Sequence, residues 1–167
     1  MTDSLVQSLV DFFKSWLSPE IIIFLVSLLP ILELRGGLIA ASLLGVPWGI
    51  AFPICVIGNM LPIPFILLFI RKIFDFIKRT NFLKMRKIVE KLDAKAAKKS
   101  SGMNSLSLWG LFTFVAVPLP GTGAWTGSLV ANVLGIKFKH SFPIVFLGVL
   151  SAGLLMSFFA YFIPSLF

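Results

Sequence analysis

The stretch "VPLPGTGAWTG", Val117 to Gly127, breaks an apolar run with two prolines, three glycines and two threonines. Proline removes a helical donor and clashes with the preceding turn, so no continuous helix is expected here. Inside a bilayer such backbone is tolerated only where protein or a wet cavity satisfies it. One reading is a structural kink whose glycines allow close packing. The other is a ligand site, in which Gly121, Thr122, Gly123 and Thr126 offer N–H groups and hydroxyls at the start of a new half-helix. A helix N-terminus carries a partial positive charge and favours anions, and flanking glycines let the backbone approach a phosphate or carboxylate closely.

The surrounding chain makes the bilayer setting firm. Of its 167 residues 57% are hydrophobic and only 13% charged, with a mean hydropathy of +0.98. A soluble domain of this size needs more polar surface than that. The apolar residues also come in long blocks, at 21–32, 50–70, 106–119 and 141–167. The fold class expected is an all-α integral membrane protein forming one domain.

Sliding the chain against itself by 90 positions shows a repeat. Pro30 falls on Pro120 and Pro53 on Pro143; Gly37, Gly45 and Gly58 fall on Gly127, Gly135 and Gly148. Phe24, Leu29, Ala41, Leu44, Phe52, Ile54 and Phe69 also meet their own kind. Each half (19–70, then 106–167) has an interrupted apolar segment, a short turn and an uninterrupted span. The limbs 19–32, 38–44, 106–117 and 124–134 are shorter than the ~17–25 residues a spanning helix needs. They suit re-entrant helical hairpins, each followed by a transmembrane helix. If the hairpins are re-entrant, the two repeats are inverted; if they cross fully, the repeats are parallel. The inverted arrangement is preferred, because it puts the turn bearing Lys137 and Lys139 on the same face as the basic linker.

That linker, 71–105, carries eleven basic residues against Asp75, Glu90 and Asp93, and so accounts for the whole net charge of +8. Beside membrane spans it reads as a cytoplasmic segment. Met85, Ile88, Val89 and Leu92 recur at helical spacing, so the 71–99 stretch is either a solvated orienting loop or an amphipathic helix on anionic lipid headgroups. No nucleic-acid partner is expected. Residues 1–18 read as a further amphipathic helix at the interface, ending at Ser18-Pro19-Glu20. Cys55 is the single cysteine, so no internal disulfide is possible.

The counterpart of the second break is "PILELRGG", Pro30 to Gly37. Glu33 and Arg35 are the only charged residues between Ile21 and Ile70. A charge near the bilayer centre costs at least ~2.5–3.5 kcal/mol and marks a functional site by default. Arg35 offers a bidentate grip on phosphate or carboxylate, with Gly36 and Gly37 beside it, and Glu33 is a candidate carrier of a coupling proton. The alternative is a self-neutralising Arg–Glu pair that pins the hairpin. Residues two apart on a helix face different ways, so both serve one cavity only if the helix is broken, which Gly36-Gly37 suggests. Asn59 and Asn132 either line a polar path or form interhelical hydrogen bonds. Trp125 reads as packing and His140 as an interface residue. No metal cluster, nucleophile arrangement or phosphate loop is found, so neither a cofactor nor an enzymatic activity is expected.

At "LLPILELRGG" (28–37), "IGNMLPIPF" (57–65) and above all "VPLPGTGAWTG", the chain resembles the small multi-drug export proteins of prokaryotes. The resemblance runs from Leu28 onward. It implies a multi-pass protein of the cytoplasmic (inner) membrane. In plan the chain is also similar to DedA-like proteins, which have paired re-entrant hairpins and are implicated in proton-coupled recycling of undecaprenyl phosphate and in lipid scrambling. That likeness implies Glu33 as the coupling acid and Arg35 as a headgroup ligand. The chain departs from these patterns at Ile39, where the family usually has proline, and in a second hairpin without arginine.

Three functions follow as expectations. The first is proton-coupled translocation of an anionic lipid phosphate between the two hairpins. The second is efflux of small lipophilic cations, and the third a non-transporting scaffold or lipid-binding protein. A homodimer is expected to help enclose a site that so few spans surround poorly.

Overall fold

A computed structural model of the chain describes residues 17–70, 105–119 and 121–162, together with Val6 and Ser8. The expected interfacial helix over 1–18 and the basic 71–105 linker lie almost wholly outside the described residues. All regular structure among the described residues is helical.

The first half opens with α1 (Pro19–Leu28). Proline stands at its first position, where a missing N–H is harmless, and Glu20 favours the positive end of the helix. It stops because Pro30 disfavours helical backbone at the residue before it; Leu29 is extended, with φ −71° and ψ 134°. The chain turns over 29–32 and enters α2 (Glu33–Leu43). The first break therefore lies before Glu33, not at Gly36-Gly37, which corrects the limbs read as 19–32 and 38–44. Both glycines sit inside α2 because packing demands them. A Cβ on Gly37 would lie 1.8 Å from Ser27 Oγ and 2.9 Å from Cys55 Sγ, and one on Gly36 would lie 2.7 Å from Leu32 Cβ. Gly37→Ala is expected to lower the thermal midpoint of the detergent-solubilised protein by an overpacking cost of about 1–3 kcal/mol. Adding Ser27→Gly should restore part of the loss; an unchanged midpoint in Gly37→Ala would remove the packing account.

A turn at 44–47 leads to α3 (Trp48–Met60), whose apolar course continues to give a membrane-length run over Trp48–Ile70. The second half repeats the plan with α4 (Ser105–Ala116), α5 (Ala124–Val133) and α6 (Phe138–Ser157). A π-helical turn, Phe158–Phe162, ends it. Here the membrane-length run is Phe138–Tyr161. At ~1.5 Å per residue, both runs are long enough for a hydrocarbon core of ~30 Å, and α1, α2, α4 and α5 are not.

The offset of 90 survives into hydrogen bonding. Gly45 and Gly135 have φ 68° and 69°, and each closes the preceding helix by the paired bonds of a Schellman turn. Val46 N–H donates to Ala41 O at 2.9 Å and Gly45 N–H to Ser42 O at 3.2 Å; Ile136 donates to Ala131 at 2.9 Å and Gly135 to Asn132 at 3.0 Å. The ring pairs that start the long helices, Trp48–Phe52 and Phe138–Phe142, both have centroids 5.4 Å apart. Pro53 and Pro143 occupy the same place in α3 and α6.

Packing fixes the directions. Gly37 against Ser27 folds α2 back on α1, and Gly37 against Cys55 sets α3 antiparallel to α2. Gly127 against Val115 folds α5 back on α4. A Cβ on Gly153 would meet Leu34, and Ser42 Oγ donates to Ala160 O at 2.8 Å, so α2 runs alongside α6 in the same direction. Therefore α3 and α6 point opposite ways. The core between them is aliphatic, with Ile22, Ile23, Leu34, Leu38, Ile63, Leu111, Val145 and Val149 buried. Large apolar side chains on the outside, such as Ile31, Ile57, Trp109 and Leu154, form a surface suited to lipid.

Candidate functional site

Glu33 is the first residue of α2 and is 5% exposed. Its backbone sits at φ 51°, the one positive φ outside glycine among the described residues. Such backbone is uncommon for a residue with a side chain and persists only when the surroundings hold it. What holds it lies across the repeat. Glu33 Oε2 accepts from Ala124 N–H at 3.1 Å, and Oε1 accepts from Trp125 N–H at 3.1 Å. The carboxylate thus caps the N-terminus of α5, satisfying two donors that the helix leaves open and meeting its positive end.

Gly123 precedes α5 at φ 140° and ψ −168°, a region that glycine alone adopts readily. A Cβ there would fall 1.9 Å from Glu33 Oε2. Residues 33 and 123 are repeat equivalents, and they meet.

Arg35, half-buried, reaches the other side of the same break. Nη1 donates to Leu119 O at 2.5 Å; Nη2 donates to Val117 O at 3.2 Å and to Thr122 Oγ1 at 3.0 Å. Thr122 Oγ1 also lies 2.9 Å from Val117 O and 2.8 Å from Leu119 O. These carbonyls follow the C-terminus of α4, its negative end. One acid and one base, two residues apart, therefore match the two opposite poles of a broken helix. Each side chain goes to the second half rather than to the other, so the pair does not neutralise itself by direct contact. Both reach one centre because Glu33 stands at the very start of α2, where the backbone has just turned.

The centre lies at mid-depth. A void of about 10 Å³ is lined by Glu33, Gly123, Leu34, Ala124, Asn59 and Val149, among others. These form three pairs of repeat equivalents. Asn59 and Val149 fall at the middle of the runs Trp48–Ile70 and Phe138–Tyr161. Asn59 is 2% exposed, and its Oδ1 has no partner. The void has room for about one water.

The other sequence candidates are placed as follows. Gly121 has φ 83° with open space where a Cβ would stand. Thr126 Oγ1 and Trp125 Nε1 are buried without partners in the first turn of α5. Gly36 and Gly37 face Leu32, Ser27 and Cys55, in the packing of the first half. Asn132 donates to Ser128 O at 3.1 Å and to Ile66 O at 3.4 Å; it ties α5 to the end of the α3 run, away from the void. The sequence reading missed the backbone partners: the carbonyls of Val117 and Leu119, and the N–H groups of Ala124 and Trp125 as ligands of Glu33. The offset of 90, which aligns residue 33 with 123, was the available signal. Among the described residues no group of His, Cys, Asp or Glu is arranged to hold a metal ion.

Two opposed membrane-length helices, two broken helices and a charged centre at their middle define an integral membrane protein with a buried polar site. The chain belongs to the family described as "Putative small multi-drug export protein", which matches residues 33–155. The match begins at Glu33 and takes in the whole centre, and the description speaks for export across a membrane. Neither the curated proteins nor the solved structures contain a match.

Proposed function

We propose that the protein is a proton-coupled transporter of inverted-repeat design, with α1–α2 and α4–α5 as re-entrant hairpins and the substrate site where their tips meet. The substrate is an anionic lipid phosphate of the undecaprenyl-phosphate type. One observation carries the reading: the N-terminus of α5 holds an anion, and that anion is the chain's own Glu33. A phosphate offers the same kind of acceptor oxygens to the same N–H groups. Proton uptake by Glu33 removes the competing charge and frees Ala124 and Trp125 N–H. Arg35, Thr122 and the backbone from Gly121 to Gly123 then lie beside an incoming headgroup. Exchange of one anion for the other ties substrate movement to a proton.

The opposed directions of α3 and α6 support the inverted plan, and hairpin limbs too short to span support re-entrance. The charge of the 71–99 segment supports a cytoplasmic position at an inner membrane, with anionic headgroups as its partners. No enzymatic chemistry is required.

The test is transport of a polyprenyl phosphate into proteoliposomes, with and without a pH gradient. Wild type is expected to move it in a gradient-dependent way. Glu33→Gln should bring the gradient-driven component down to that of protein-free vesicles, because the glutamine amide keeps the size but carries no exchangeable charge. Undiminished coupling in folded Glu33→Gln would remove Glu33 from the mechanism. The family description favours a second reading, export of lipophilic cations, for which Glu33 is the one acid at mid-depth among the described residues. Cation movement that survives replacement of Arg35, with an immobile lipid phosphate, would select it.

A further inference from the structure

We propose that Asn59 is the hydrogen-bond partner of protonated Glu33, and thereby the positioning residue that lets α5 be vacated. The inference deepens the transport reading and rests on it only in requiring that Glu33 take up a proton.

The argument is a count of donors and acceptors. Ionised, Glu33 has only acceptors, and two donors at the start of α5 meet them. Protonated, it gains an O–H that must donate. Thr126, whose hydroxyl is unpartnered in the first turn of α5, does not line the void, and the backbone N–H groups accept nothing. The same void holds one group that does: Asn59 Oδ1, an unpartnered acceptor on a residue 2% exposed. An orphaned acceptor at such a depth is unfavourable, and the O–H relieves it directly or through the one water for which the void has room. The amide has a second use. Turned over, it presents Nδ2–H to the ionised carboxylate, so one side chain serves both protonation states.

Arg35 also lines this void, with its guanidinium engaged by Val117 O, Leu119 O and Thr122 Oγ1; the other titratable groups stand apart. On α3, Cys55 lies against Gly37, one turn along α2. Tyr161, beyond α6, donates to Val46 O past the far end of α2. Glu20 opens α1, and Lys139 and His140 open α6, all remote from mid-depth; α5 carries no titratable group. Val149, the repeat equivalent of Asn59, has no polar atom to offer, so the task falls to Asn59 alone.

The experiment is infrared difference spectroscopy, acid minus neutral, on the full chain in lipid. Glu33→Gln identifies the carboxylic C=O band of Glu33. In Asn59→Leu that band should move to higher wavenumber, because the O–H has lost its acceptor, and in Asn59→Ser it should stay near the wild-type position. Where Asn59→Leu does not fold, Asn59→Ala removes the same acceptor with less bulk and gives the same test. A band in the same place in wild type and in the folded Leu or Ala variant overturns the proposal. The readout needs no substrate: an unmoved band alongside gradient-driven transport overturns the role of Asn59 alone. Absence of any Glu33 band at acid pH overturns proton uptake, and both readings with it.

Discussion

Gly123→Ala is expected to abolish docking of the two hairpins. Two costs coincide at that position. An alanine must leave backbone at φ 140°, ψ −168°, a region costing of order 1–3 kcal/mol for a residue with a side chain. It must also expel the Glu33 carboxylate, since its Cβ would stand 1.9 Å from Oε2. Expulsion forfeits two charge-assisted hydrogen bonds, each about 1.5–3 kcal/mol, and leaves a charge unpaired at mid-depth. The total is about 5 kcal/mol, comparable with the whole stability of many domains. Gly121→Ala is the control: its φ is also positive, but nothing lies near the added methyl, so only a backbone cost of about 1 kcal/mol is expected. Thermal unfolding in detergent separates the two. Similar midpoints for both variants would mean that the contact with Glu33 is not what makes Gly123 necessary. In the double variant with Glu33→Ala the part due to expelling the carboxylate should vanish and the backbone part remain, a non-additivity of about 2–4 kcal/mol.

Arg35→Ala should come next in severity and should act on a different element. The guanidinium holds Val117 O, Leu119 O and Thr122 Oγ1 together, so its loss leaves carbonyls past the end of α4 without their main donor. Hydrogen bonds from a charged donor contribute about 1.5–3 kcal/mol each, and the half-buried guanidinium makes three of them. Thr122 Oγ1 can still serve one carbonyl at a time, and the segment from 117 to 122 should loosen. Arg35→Lys keeps the charge but not the planar fork that reaches several acceptors at once, so it should fall between alanine and wild type. The measurement is the rate of thiol labelling at Leu119→Cys, with Cys55→Ala removing the native thiol. Labelling should be slow with Arg35, faster with Lys and fastest with Ala. Equal rates in all three would deny Arg35 its hold on the break.

Much of this centre is legible in the amino-acid sequence. Glu33 and Arg35 stood out because charge in an apolar block is costly. The second break stood out because Pro118, Gly121 and Gly123 leave no helix possible, and α4 and α5 do end and begin around it. The first break was misplaced because Gly36-Gly37 looked like the interruption. In fact Pro30 had already stopped α1, and the two glycines serve close approach of α2 to its neighbours. What a single sequence could not supply was partnership. Nothing local in "PILELRGG" says that its acid reaches Ala124 and Trp125 while its base reaches 117–122; that depends on how two hairpins meet. The partners, moreover, are mostly backbone groups, which every residue possesses and no residue type advertises. Asn59 stayed ambiguous for a related reason. An asparagine in a span reads alike whether it joins two helices or faces a carboxylate, until its neighbours are known.

The cross-repeat capping has a bearing on how the chain enters the membrane in the first place. Among the described residues, every hydrogen-bond partner of the Glu33 and Arg35 side chains lies 82 to 92 positions further along. While a ribosome has delivered only the first half, α2 carries both charges with none of those partners yet made. The first hairpin therefore has a reason to linger at the insertion machinery or the interface rather than settle, and it becomes comfortable at depth only when residues 117–125 arrive. Synthesis of the second half is then the step that drives the first half home, and a chain cut between the halves should be recognised by the cell as unfinished.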